Sequence, residues 1–399
     1  MTDSKGALTG YRIIDLTSVL FGPMGTQQLG DWGADVIKVE TLDGDLWRYT
    51  GTARTRGMSG QFMAVNRNKR SIALDLKHSS AEVVVTALLK SADALVSNVR
   101  PAALARLGLG YDRCHAIKPD LVYVEATGFD QTGPWADRPA FDDIVQAASG
   151  FAVTLTDDNT PELPPSLLAD KICGLALTSA VTAALLHRER TGQGQRIEVP
   201  MLETLAAFNA VEALGGYAFE PPEGDAGYAR VRERRAAQTR DGWIALLPYS
   251  EKQWCDFLTA VDRADWIETF GVRDPVTRAA NIDRLYEGMR SVIRERSTAD
   301  WEQLLSAIDI PHARFSRVEE LQRHPHLRES GLFVHSEHPS EGTIVQARPT
   351  TRFNKSPAAI RRPAPRLGEH TVEILEELGL DDRQIDALLK SNAVAGERG

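Results

Sequence analysis

The chain has 399 residues, 42% of them hydrophobic, and a formal net charge of −9. That length supports two domains with real cores, while the acidic balance excludes a nucleic-acid surface, which needs clustered Lys and Arg. No basic amphipathic stretch suggests a membrane face. Three cysteines, Cys114, Cys173 and Cys255, are odd in number and far apart. They give no disulfide framework or CxxC metal site and fit a reducing cytoplasm.

The N-terminal MTDSKGALTG carries an acid at Asp3 and no apolar signal core, so no export is expected. From residue 11, β-branched runs alternate with helical patterns: YRIIDL, MGTQQLGDWG, ADVIKVE, then SIALDLK, SAEVVVTALLKSA, DALVSNV and LVYVEATGF. This alternation predicts an α/β domain with a mostly parallel sheet covered on both faces. The first strand-to-helix turn invites a dinucleotide reading, with Glu40 as the ribose-binding acid. A GxGxxG starting at Gly22 would need glycines where Met24 and Gln27 stand, and no GxxxxGK[ST] occurs. The glycines are therefore read as helix-start and packing residues.

The stretch SLLADKICGLALTSAVTAALLHRERTGQGQ predicts a helix. Its most apolar window, Ile172 to Leu186, is too short to span a bilayer and is interrupted by Thr178, Ser179 and Thr182, so a buried helix is expected. Asp170 at its mouth has two readings: an N-cap for the first-turn N–H groups, or a carboxylate held ionised by those groups and by the helix dipole, available as a nucleophile. Ala169, Gly174 and Ala176 would leave room beside it for a substrate. Arg188 and Arg190 suit the negative helix end, and Thr191-Gly192 supplies the stop.

RIEVPMLETLAAFNAVEAL reads as a strand and a helix, after which residues 216–237 lose periodicity and read as a linker or mobile loop. The expected division is therefore 1–215, a large domain; 238–325, a smaller unit with GWIALLP, EKQWCDFLTAV and TADWEQLLSAI; and 326–399, a return segment. His312, His324 and His326 lack HxxxH spacing and are read as surface residues, with no metal site expected.

The Asp170 helix, AALLHRERTGQGQRIEVPMLE, DLTSVLFGPMGTQQLGDWGADVIKVE, NRNKRSIALDLK, GFDQTGPWADRPAFDDIVQAASGF and PRLGEHTVEILEELGL occur in an order that resembles the class III CoA-transferase family over essentially the whole chain. The family includes formyl-CoA transferase and carnitine CoA-transferase, with α-methylacyl-CoA racemase as a close relative. The resemblance implies a Rossmann-like large domain plus a smaller α+β domain, in two subunits interlocked as rings. It implies that Asp170 is catalytic, that CoA thioesters are substrates with no tightly bound cofactor, and that Val19, Leu20, Phe21, Lys69, Arg70, Leu74, Asn98 and Arg106 match CoA-contacting positions. Arg67 and Arg100 are further cations of the same two segments. Trp47 and Arg48 are read as lining an acyl pocket, and Met201 as packing near the thioester.

Two activities remain open on this reading. A transferase needs the nucleophile alone, whereas a racemase needs a second proton carrier, a His in that relative; Phe141 stands there and cannot carry a proton. A non-catalytic acyl-CoA-binding homologue is the third alternative. Asp142 and Asp143 are candidates for positioning. Ser18, Leu20, Thr41 and Thr127 depart from the formyl-CoA transferase pattern, and no glycine-rich lid occurs between 215 and 245. The expected acceptor is therefore an organic acid larger than formate; that it is a dicarboxylate or related acid, with succinyl-CoA as donor, is what the family resemblance implies.

Overall fold

The computed structural model describes residues 5–154, 161–224, 227 and 234–396. Contacts divide the chain into two units, Met1–Ala210 with Gly331–Gly399, and Val211–Ser330. The sequence divides at 215/216 and 325/326, a few residues away from each boundary. Of the expected linker, residues 225, 226 and 228–233 lie outside the described residues.

The first unit runs β1 (Arg12–Leu16), α1 (Phe21–Asp31), β2 (Asp35–Glu40), α2 (Gly60–Asn66), β3 (Lys69–Leu74), α3 (Ala81–Ser91), β4 (Ala94–Ser97), α4 (Pro101–Arg106), α5 (Tyr111–Ile117), β5 (Val122–Thr127), α6 (Asp142–Ala148), α7 (Phe151–Thr154), α8 (Leu168–Thr191), β6 (Gln195–Pro200) and the start of α9 (Met201–Ala213). The second unit holds β7 (Ala237–Gln238), β8 (Trp243–Leu246), α10 (Glu251–Ala260), α11 (Asp265–Thr269), α12 (Pro275–Ala280), α13 (Ile282–Ile293), α14 (Thr298–Ala307), β9 (His312–Arg314) and α15 (Pro325–Glu329). The chain then returns through β10 (Phe333–His338), β11 (Gly342–Ala347), α16 (Thr371–Glu377), α17 (Asp382–Lys390) and β12 (Val394–Ala395).

The large sheet has the order β12-β3-β2-β1-β4-β5-β6, parallel throughout except for β12, which pairs antiparallel with β3. Both faces are covered, as the continuous apolar runs require. Successive residues serve opposite cores: Ile14 joins Ile37, Ile72 and Leu95 under α3, α16 and α17, while Ile13 joins Val36, Val96 and Val124 under α1 and α8. The order reverses between β1 and β4, so the crevice for a ligand opens beyond their carboxyl ends.

At 24 residues, α8 is longer than its apolar window suggests, and it is long and apolar enough to cross a bilayer. Its Cys173, Leu177, Val181 and Leu185 stripe is nevertheless buried in the sheet's second core. In the second unit, the antiparallel β7-β8-β9 sheet and its helices enclose Trp254, Phe257, Leu285, Met289 and Trp301. Ser250 and Ser297 cap α10 and α14, each through a capping box.

Candidate functional site

A cleft of about 350 Å³ lies at the switch point of the large sheet. Its walls come from segments that follow carboxyl ends of strands: Ser18 to Phe21 after β1, Asn98 to Pro101 after β4, Gly128 to Asp142 after β5, and Met201 after β6. Asp170 completes it from the first turn of α8. The structure thus brings Val19, Leu20, Phe21, Asn98 and Asp170 together. Met201 lines the same cleft and is otherwise buried.

Asp170 is not the cap of its helix. The N-cap is Leu167, which makes no side-chain cap bond, and Asp170 is the third helical residue. Its backbone N–H donates to Asp142 Oδ1 at 2.9 Å, so a carboxylate from α6 satisfies one of the free donors of α8. Asp142 is held in turn by Gln146, whose Nε2 also donates to the Ser166 carbonyl at 2.9 Å. The cap arrives from outside the helix, and the Asp170 carboxylate keeps no hydrogen-bond or ion-pair partner among the described residues.

The ionisation of Asp170 runs opposite to the expectation from the helix dipole. Burial raises its pKa to about 7, with Asp142 and then Asp143 adding repulsion and Lys171 opposing them. A helix N-terminus is worth only about 0.3–1 kcal/mol to a carboxylate, too little to offset desolvation and two like charges. The result is a carboxyl group that titrates near neutrality in a cleft, a pattern typical of functional groups.

Gly174 does different work from that expected. Gly174 faces α1: a Cβ there would lie 3.0 Å from the Phe21 carbonyl oxygen and 3.3 Å from Met24 Cβ. Gly25 on α1 is tighter still, with a Cβ 2.6 Å from Leu177 Cδ2 and 2.9 Å from the Gly174 carbonyl oxygen. The pair lets the two helices cross at close range, which sets Leu20 and Phe21 beside Asp170 and leaves no substrate space at Gly174.

Lys69, Arg70 and Leu74 do not reach the cleft. They belong to β3 and are buried. Lys69 Nζ pairs with Asp15 at 2.9 Å, and Arg70 binds Asp35, Glu373 and Glu377 at 2.6–2.9 Å. Arg67 pairs with Asp31 at 2.7 Å. The resemblance implies CoA contacts in this segment, but the segment leads into β3 at its amino end, and each charge has an internal partner. Arg106 is exposed in the last turn of α4 and is not part of the cleft wall.

Trp47 and Arg48 are also absent from that wall. Arg48 is buried with its Nη2 2.7 Å from Glu40 and its guanidinium 3.8 Å from the centre of the Phe62 ring. Glu40 is therefore engaged internally. Arg100, one of the cations expected from the sequence, and Arg138, which the motifs did not single out, are exposed on the cleft and have no ion-pair partner among the described residues. Arg138 lies 4.5 Å over the Trp135 ring, which fixes its plane.

The turn after β1 is held with unusual thoroughness. Thr17 N–H donates to Asp15 Oδ1 (2.9 Å) and its carbonyl accepts from Lys38 Nζ (2.7 Å). Ser18 N–H donates to Asn98 Oδ1 (3.0 Å) and its carbonyl accepts from Asn98 Nδ2 (2.8 Å). Val19 N–H donates to Asp45 Oδ1 (3.1 Å), and Asp45 lies 2.9 Å from Lys38 with both side chains buried. Val19 itself has φ 68°, a left-handed conformation that strains a β-branched residue by roughly 1–3 kcal/mol.

The model for CoA-transferase family III matches residues 8–371. The chain is 32% identical over 398 residues to succinyl-CoA:glutarate CoA-transferase of Mus musculus, covering 98% of this chain and 91% of that one. It is also 32% identical over 406 residues to the succinyl-CoA–L-malate CoA-transferase beta subunit of Chloroflexus aurantiacus, covering 97% and 98%. Among solved structures, Rv3272 of M. tuberculosis superposes with a TM-score of 0.83 at 28% identity, covering 94% of this chain and all of that one. The chain therefore belongs to CoA-transferase family III, and its reaction is the transfer of coenzyme A between an acyl-CoA and an acid.

Proposed function

We propose that this enzyme takes CoA from succinyl-CoA and passes it to a dicarboxylic or related organic acid, with Asp170 as nucleophile, and that it works as an intertwined homodimer in the cytoplasm. The observation that carries the reading is the unpartnered Asp170 carboxylate in a cleft at the switch point of the sheet. The donor is supported by the two relatives named for succinyl-CoA. The location is supported by three cysteines that are all free thiols.

The ionised Asp170 attacks the thioester carbonyl, forming a mixed anhydride and expelling CoA thiolate. The thiolate attacks the aspartyl carbonyl, giving an aspartyl-CoA thioester and free succinate. The incoming carboxylate attacks that thioester, forming a second anhydride and CoA thiolate again. The thiolate then takes the new acyl group and Asp170 is regenerated. A carboxylate is a weak nucleophile for thioesters, so holding the partners in place must supply on the order of 7–11 kcal/mol. Arg100 and Arg138 are the exposed cations suited to the phosphates of CoA. Phe141 is 70% exposed on the cleft wall; the family resemblance matches it to the second proton carrier of the racemase, and a phenyl ring there favours transfer over epimerisation.

Mixing the protein with succinyl-CoA in deuterated water, adding hydroxylamine and mapping the peptide that contains Asp170 tests this. A hydroxamate on Asp170 is the expected result. No adduct, together with deuterium at the α-carbon of the acyl group, would assign the aspartate to proton transfer instead.

A further inference from the structure

Three consecutive residues after β1, Thr17 to Val19, have five backbone polar atoms tied by four side chains that come from β1, β2, the turn after β2 and the end of β4. Asp15, Lys38 and Asp45 are buried, and Asn98 reaches in from the cleft wall. A turn whose only task is to join a strand to a helix needs no such arrangement, and it would not retain a valine at φ 68° when negative φ is available. The two residues after the valine supply the reason: Leu20 and Phe21 start α1 and form the cleft wall next to Asp170. A strained residue held by over-determined contacts beside a reactive group is a pattern found where geometry is used in the chemistry.

We propose that Asp15, Lys38, Asp45 and Asn98 are positioning residues that clamp Val19 in its left-handed conformation, and that this conformation sets the wall against which the acyl thioester is presented to Asp170. Asn98 then acts through the Ser18 peptide, to which its amide is bonded at both ends, in addition to any contact with CoA. Lys38 acts through Asp45 and through the Thr17 carbonyl. The inference rests on the reading of Asp170 as the nucleophile.

The test is a double-variant cycle on the single-turnover rate of Asp170 acylation at saturating succinyl-CoA. Glycine adopts positive φ as readily as negative and does not need to be clamped. Asn98→Ala is expected to slow acylation at least tenfold in the parent, and less than threefold when Val19→Gly is also present, whatever Val19→Gly does alone. Asp45→Asn is expected to follow the same pattern. If it fails to fold because Lys38 loses its charge partner, Asn98→Ala, which disturbs no buried charge, carries the test. An equal or larger loss in the glycine background, or no loss in the parent, would overturn the clamp. Parent-level acyl transfer by Asp170→Ala would instead remove the reading of the site on which the clamp depends.

Discussion

Two carboxylates share the mouth of α8 and divide its chemistry. Asp142 satisfies the helix, and Asp170, released from that task, is pushed to a pKa of about 7 by burial first and by Asp142 next. The direction has a consequence for stability. A carboxyl group with a folded-state pKa above its ordinary 3.8 favours the fold while it is protonated, and that contribution is lost as pH rises through about 7. We expect Asp170→Asn to be more stable than the parent above pH 7, by up to about 4 kcal/mol, with the gain shrinking to nothing near pH 4. Urea unfolding of both proteins across that range checks it; a constant difference would show that Asp170 does not titrate as described. Under the proposed mechanism, acylation of the parent should rise with pH through the same window, because there the carboxylate is the attacking form. Asp170 was legible in the sequence from its place before an apolar helix and from its family motif. Its release by Asp142 was not, because it depends on a backbone N–H meeting a side chain 28 residues away. Lys69 and Arg70 misled for the same reason: the charges are visible in the sequence, but Asp15 lies 54 residues from Lys69 and Glu377 lies 307 from Arg70.

Among the elements, the crossing of α1 and α8 is the most exacting. A glycine inside a helix costs about 1 kcal/mol relative to alanine, so Gly25 and Gly174 persist against propensity, and the 2.6–3.0 Å approaches of a Cβ show why. Gly174→Ala gains propensity and loses by crowding the Phe21 carbonyl, for a net destabilisation of about 1–2 kcal/mol. Its effect on acylation should be larger, about tenfold or more, because a shift of α1 moves Leu20 and Phe21 relative to Asp170, the proposed nucleophile. Thermal unfolding and single-turnover acylation, measured side by side, separate the two effects; a rate loss no larger than the stability loss would deny the crossing its part in the site. The strands, the parallel sheet and the long helix were legible from period and β-branching. The glycine crossing was not, since a small residue reads equally well as space for a substrate or as contact with another helix.

For the whole molecule, each unit leaves large apolar side chains uncovered. Phe141, Ile144, Leu175 and Leu186 in one, and Val211, Leu214, Tyr217 and Phe219 in the other, are 47–83% exposed. Exposure of this kind suits the proposed homodimer. Light scattering should give twice the 43.8 kDa of one chain at all concentrations used for assay, and a mass of one chain would exclude the dimer.

The edge of the large sheet is closed by Val394 and Ala395, which pair with Leu74 and Ala73 of β3. In a growing chain, Val211–Ser330 is therefore complete before the sheet it interrupts. At about 5–20 residues per second, the stretch from Ser330 to Ala395 occupies the ribosome for about 3 to 13 seconds. Throughout that interval β3 presents an open edge, and the Arg70 guanidinium lacks Glu373 and Glu377. The larger unit, which holds Asp170, begins before the smaller one and is finished after it, so its exposure to mispairing is set by the speed of translation as well as by its own stability.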